Sequence, residues 1–185
     1  MIICCFTACS SNDSYAPKPK GYFKIDFPKK EYQAYQDGCA FSFDYPAYAK
    51  MIPDRERGAG TCWNNLTFSQ FNARLHLTYY AISSAKEFQG LIEDARTLAF
   101  KHTVKANSID QKLINYPDKK VYGVYYEIQG NTASSVQFFL TDSTKHYFRG
   151  ALYFNERPQY DSIAPVVTFI KKDIDRMIST FKWKN

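Results

Sequence analysis

The chain has 185 residues, of which 23% are charged, 17% aromatic and five cysteine, and it carries a formal net charge of +6. That length suits one domain able to bury a core without metal clips, and no apolar run approaches the roughly 20 residues of a membrane-spanning helix. The charge does not mark a nucleic-acid groove. Residues 18–30 hold five lysines against one aspartate and residues 171–184 hold five basic against two acidic groups, so the basicity is terminal.

The first segment, MIICCFTACSSNDSYAPKPKGY, places Cys4, Cys5 and Cys9 beside a short apolar run and then turns polar. Residues Ile2 to Ala8 are apolar apart from Thr7, and small Ala8 directly precedes Cys9. "FTAC" therefore reads as a relaxed lipobox, with cleavage ahead of Cys9 and acylation of that cysteine. Phe6 stands where leucine is commonest, and neither Lys nor Arg precedes the run. An in-frame start further upstream, carrying a basic residue, is the expectation. In the competing reading the three cysteines are ordinary residues of a disordered terminus. Two or three acyl chains, at about 0.8 kcal/mol per buried methylene, would hold the protein durably on a membrane. Pro17 and Pro19, alternating with lysine, favour an extended tether. The expected division is residues 1–8 signal remnant, 9–24 lipidated tether and 25–185 a single domain.

Phe41 to Tyr45 reads as a short strand, and "MIPDRERGAGT" as a charged, Gly-rich connection. A phosphate cradle in "RERGAGT" lacks the strand-to-helix context such loops need. In "TCWNNLTFSQFNARLHLTYY" two strands flank a turn at Ser69 to Asn72, with Leu75, Leu77 and Tyr79 on one face and Arg74, His76 and Thr78 on the other. Outside the signal region only Cys39 and Cys62 remain, each opening an apolar stretch. If those stretches are neighbours, an oxidising compartment would bridge them, at roughly 3–4 kcal/mol on the chain-entropy model. Otherwise they are two unpaired core thiols. Their spacing does not supply a zinc site.

Ser84 and Glu87 have capping-box spacing, and Phe88, Leu91, Ile92, Ala95, Leu98, Ala99 and His102 recur at helical intervals to about Val104. His102, at the edge of the stripe, reads as a hydrogen-bonded structural histidine. After "NYPDKK" three strands follow as an antiparallel meander through the turn formers "GNTA" and "DSTK". Tyr122, Val124, Tyr126 and Ile128 are expected to share a face with Val136, Phe138, Leu140, Phe148, Leu152 and Phe154. A last helix carries Val167, Ile170, Ile174, Met177 or Ile178, and Phe181 on one stripe, with Pro165 in its first turns. The result is an α+β fold, an antiparallel sheet flanked by two amphipathic helices, and its element order resembles the PsbP/Mog1-like sandwich.

Chemistry is sparse. The histidines at 76, 102 and 146 have no metal-pair spacing, and no nucleophile elbow, P-loop or dinucleotide fingerprint occurs. Glu127 falls opposite Tyr122 and Tyr126 on a face that solvent explains. Fifteen tyrosines exceed what one core needs, which points to a partner-binding face, with Trp63 and Tyr160 as first candidates, core packing of either as the competing reading and glycan stacking as the weaker use.

The ordered phrases "PKPKGYFKIDFPKKEY", "CAFSFDYP", "CWNNLTF", "HLTYY", "DARTLAFKHTVKANSI" and "KKVYGVYYEIQGNTASSVQFFLTDSTKHYFRGALYFNERPQYDSIAPVVTFIKKDI" resemble the gliding-motility lipoprotein D (GldD) family of Bacteroidetes, from about Pro17 to Trp183. The resemblance implies a lipid-anchored envelope component required for gliding and type IX protein secretion. It implies no enzymatic activity and no cofactor, with other machinery proteins and the membrane as partners and no nucleic acid. It makes Cys9 the lipidated residue and Cys39 with Cys62 the family's cysteine pair. In the phylum surface export goes with acidic residues just after the lipidated cysteine, and only Asp13 stands there, which favours the periplasmic side; the expected location is the outer membrane, facing the periplasm. The competing class is a lipid-anchored ligand- or glycan-binding domain, or a cryptic hydrolase.

Overall fold

Strands that are apolar on one face need cover on that face, and strands that are apolar on both need cover twice. The computed structural model of the chain describes residues 24–155 and 160–184, with the backbone alone at Tyr160. The elements among them are β1 (Tyr32–Tyr35), β2 (Phe41–Pro46), β3 (Lys50–Pro53), β4 (Asn64–Phe68), β5 (Ala73–Ala81), α1 (Ala85–Phe100), β6 (Ala106–Tyr116), β7 (Val121–Gly130), β8 (Ser134–Thr141), β9 (His146–Phe154), α2 (Tyr160–Thr180) and β10 (Lys182–Trp183). They form a small sheet of order β1-β2-β10 and a large one of order β3-β4-β5-β9-β8-β7-β6. Each pairing is antiparallel.

The whole of β8 is buried. One of its faces, carrying Phe138 and Leu140, joins Leu75, Leu77, Phe148 and Leu152 against Ile170, Ile174 and Met177 of α2 and Phe41 and Phe43 of β2. The other face, through Phe139, joins Tyr126 and Tyr147 against Ala95 and Ala99 of α1. The rings of Phe41 and Phe148 lie 4.8 Å apart and those of Phe148 and Phe181 5.1 Å apart, so aromatic contacts knit the small sheet to the large one. Each such side chain, fully buried, stabilises the fold by about 1.5–3 kcal/mol.

Ser84 caps α1: its hydroxyl accepts the Glu87 N–H at 3.2 Å, while the Glu87 carboxylate reaches back one residue further than expected, to the N–H of Ser83 at 2.8 Å. The regular helix ends at Phe100, and Lys101–Val104 continues it as a 3-10 turn. Leu98 leaves the apolar stripe and is exposed, whereas every stripe residue named for α2 is buried. That helix begins at Tyr160, so "YDSIAP" belongs to it and Pro165 lies inside it.

Three expectations are corrected. Met51 to Pro53, placed in a connection, lie in β3, which pairs with β4. The segment between α1 and "NYPDKK" is β6, eleven residues long, so the meander has four strands. It was hidden because Ile114 is its one buried residue, which leaves no alternation to see. Finally, Tyr125 pairs with Phe138 and Val124 with Phe139, so it is Tyr125, not its neighbours, that shares the face of Phe138. "VYGVYYEIQG" is apolar in both registers because both faces are covered.

Gly123 sits where β7 and β8 leave no room for a side chain. A Cβ there would lie 1.8 Å from the carbonyl oxygen of Phe139. Gly123→Ala is expected to push β7 from β8 and cost about 1–3 kcal/mol, read as a lowered urea midpoint.

Candidate binding groove at the disulfide end

The loops before β2 and β4 meet at one end of the sandwich, where Cys39 and Cys62 form a disulfide with Cα atoms 5.8 Å apart. It ties the small sheet to the large one. Around it, Asn64 donates to the Tyr35 hydroxyl at 3.0 Å and to the Cys62 carbonyl at 3.2 Å. Trp63 is half-buried: its indole N–H donates to the Tyr79 carbonyl at 2.9 Å and its ring stands edge-on to Tyr80 at 5.4 Å. Trp63, Cys62, Pro53 and Tyr35 line a hollow of about 260 Å³.

Cys39 also borders a larger, open groove of about 1050 Å³. Two turns supply its walls, Asp118 to Lys120 between β6 and β7 and Asp142 to Lys145 between β8 and β9, and the strand pairing of β7, β8 and β9 brings them together. Within the groove the His146 ring stacks on Trp183 at 5.1 Å and shares a 2.8 Å hydrogen bond between Nδ1 and the Tyr79 hydroxyl. Trp183 in turn donates to the Lys120 carbonyl at 3.0 Å.

Four lysines line this groove: Lys119, Lys120, Lys145 and Lys184. Lys119 donates to the Ser179 carbonyl and Lys184 to that of Asp37. The amines of Lys120 and Lys145 have no hydrogen-bond partner among the described residues. Of the two aspartates, Asp142 is consumed locally, accepting the N–H groups of Thr144, Lys145 and His146 at 2.8–3.0 Å. Burial pushes its pKa up, but those N–H groups outweigh burial and hold it below the ordinary carboxylate value. The groove is cationic and aromatic, and its histidine is engaged through Nδ1 by the Tyr79 hydroxyl.

The other polar clusters are structural. Asp173, 1% exposed, binds Lys30 at 2.6 Å, the Tyr32 hydroxyl at 3.0 Å and the Tyr48 hydroxyl. Lys30 sits 3.4 Å above the centre of the Phe169 ring. Burial, then the bond to Asp173, pushes Tyr32 up to about 12 and raises Tyr48 further. Burial lowers Lys30 against the pull of Asp173. Both carboxylate oxygens are occupied, so the cluster is a clamp. Glu127 packs beside α2, paired with Lys171 and 4.0 Å from Lys112, not on a free solvent face. His102 is half-buried, and burial lowers its pKa. Among the described residues no three His, Cys, Asp or Glu could hold a metal ion.

Of the candidate residues, Cys39, Cys62 and Trp63 come together beside the groove, while Cys9 and the Tyr160 side chain lie outside the described residues. The groove itself was not anticipated. Its signals were two lysine-bearing turns and the closing "KWKN", whose proximity depends on tertiary pairing.

In architecture this is a PsbP-like α+β sandwich: the solution structure of cyanobacterial PsbP (CyanoP) from Synechocystis sp. PCC 6803 is similar at a TM-score of 0.51 and 11% identity, covering 87% of this chain and 97% of that one. No curated protein matches the chain. The family described as "Gliding motility lipoprotein GldD" matches residues 12–183, and the chain belongs to that family. Membership makes it a gliding-motility lipoprotein, associated with the envelope by lipid; among the described residues no helix is long and apolar enough to cross a membrane.

Two outcomes are expected. Thiol labelling of denatured, unreduced protein taken from the envelope should find Cys39 and Cys62 blocked; free thiols at both would refute the bridge. Because the folded pKa of Asp142 is depressed, its stabilisation is fully present above the unfolded value near 3.8 and is lost as pH falls through the lower folded value. The stability gap between wild type and Asp142→Asn, from urea titrations, should therefore be constant above about pH 5 and close on further acidification.

Proposed function

We propose that this chain is a lipid-anchored, non-catalytic envelope component that supports gliding motility and type IX protein secretion by binding other proteins of that machinery. The observation that carries the reading is the groove, in which two lysine amines are left unpaired around stacked His146 and Trp183 while the neighbouring carboxylate of Asp142 is already consumed. Such a surface suits an acidic, extended polypeptide segment. A catalytic site needs a nucleophile or water with a positioned base; the hydroxyl bonded to the His146 ring is that of Tyr79, and burial raises its pKa, which disfavours a phenolate nucleophile. Trp63, across the disulfide, and Tyr160, at the start of α2, extend the binding face in this proposal. Cys9 carries the lipid, residues 1–8 are removed, and the anchor sits in the outer membrane with the domain in the periplasm.

A second reading is favoured by one observation. Tyr125, 5% exposed, has a buried hydroxyl without a hydrogen-bond partner and lines a cleft of about 510 Å³ with Asp175, Ile114 and Tyr116. That arrangement suits a small polyol such as a sugar ring.

Complementation of a deletion strain separates the readings. Lys120→Glu with Lys145→Glu should abolish gliding and secretion at unchanged protein level, and Tyr125→Phe should leave both intact. Cys9→Ser should release the protein from the membrane fraction. Intact function in the double lysine variant would refute the groove, and loss with Tyr125→Phe would favour the small-ligand reading.

A further inference from the structure

The outer strands of an open sheet carry unpaired N–H and C=O groups, which proteins ordinarily blunt by shortness, proline, bulges or cover. At one end of the large sheet β3 does this, with four residues ending on Pro53. The other end does not. β6 runs eleven residues without proline, its one irregularity falls between Ala106 and Ser108, and among the described residues no strand pairs with its outer side. Along its α1 face Ile109 packs into the α1 cluster, yet Leu113 on the same face is 86% exposed. On its α2 face Asp110 makes only 3.4 Å contacts with Ser108 and Gln129, and Lys112 is 4.0 Å from Glu127.

We propose that the free edge of β6 pairs antiparallel with the β6 of a second copy of this chain, about a two-fold axis through Gln111. Gln111 is the midpoint of Ala106–Tyr116, so this register overlaps the full strand. Asp110 then lies opposite Lys112 of the second copy and Ile109 opposite its Leu113, each pair occurring twice by symmetry. The exposed Leu113 gains a neighbour that is itself packed under a helix. The charges also reject the alternatives. A slip of two residues sets Asp110 against Asp110 or Lys112 against Lys112, depending on direction, and a slip of one turns the α2 face of one copy to the α1 face of the other. The self-complementary spacing of one acid, one base and two aliphatic residues selects a second copy over a foreign strand.

The test uses the full, lipidated chain in its own envelope, with Gln111→Cys and mild oxidation. A disulfide-linked species of twice the chain mass is expected on non-reducing gels, confirmed by mass spectrometry, while Glu93→Cys on the exposed side of α1 should give none. In the Gln111→Cys background, Asp110→Lys or Lys112→Asp should each lower the yield, on the order of tenfold, because two attractive pairs become two repulsive ones. Together they should restore it. The recovery shows that the pairing of opposite charges sets the yield, and urea midpoints of the single variants equal to that of Gln111→Cys alone show that they fold. No adduct, an adduct with a different protein, equal yield from Glu93→Cys, or indifference to the single charge changes would each overturn the proposal.

Discussion

A strand with no solvent face sets the terms for the rest of the molecule. Each residue of β8 is buried, so its backbone must be satisfied by β7 and β9 and both of its faces must be covered. Its polar side chains obey the same demand: Gln137 accepts from Arg149 at 2.7 Å, Thr141 donates to the His146 carbonyl at 2.7 Å and Ser134 to that of Val136 at 3.2 Å. The two covers are unequal. α1 contributes two buried alanines, which permits a close approach, whereas α2 brings a full stripe of large side chains and the small sheet with it. The heavier side is also the side that the Asp173 clamp and the disulfide fasten down.

What could be read in advance follows from how local the signal was. Ser84 with Glu87 announced the start of α1, and the stripe from Val167 to Phe181 announced α2, because capping and periodicity are properties of a few neighbouring residues. Leu75 and Leu77 alternate visibly for the same reason. β6 is held in place by its register with β7 and buries little, so its own residues do not display the strand. The face of β7 was misassigned because a doubly covered strand has two apolar sets and no internal mark of which one meets α2. The groove lay further out of reach: Lys120 and Lys145 are on turns that only the meander brings together.

Composition had a similar limit. Fifteen tyrosines suggested a surplus beyond the core, but several use the ring as core and the hydroxyl as a tie. Tyr147 donates to the Leu91 carbonyl at 3.1 Å and so pins α1 to the sheet. Tyr32 and Tyr48 converge on Asp173, Tyr35 receives Asn64, and Tyr79 holds His146. Trp63 likewise spends its indole N–H inside the fold while keeping part of its ring at the hollow beside the disulfide.

The docking of the first described residues has a mechanical consequence. Phe27 stacks on Phe169 at 4.5 Å, the Asp26 carbonyl accepts from Gln70 at 2.6 Å, and Lys30 reaches both the ring of Phe169 and the carboxylate of Asp173. A pull arriving along the chain from its amino end is therefore borne by side chains clasping α2 before it reaches β1. With 21 residues α2 is about 30 Å long, and through Phe181 and β10 it leads to Trp183 in the groove. Tension on the chain ahead of Lys24 thus enters a helix whose far end is joined to the groove through the two-residue pairing of β10 with β2.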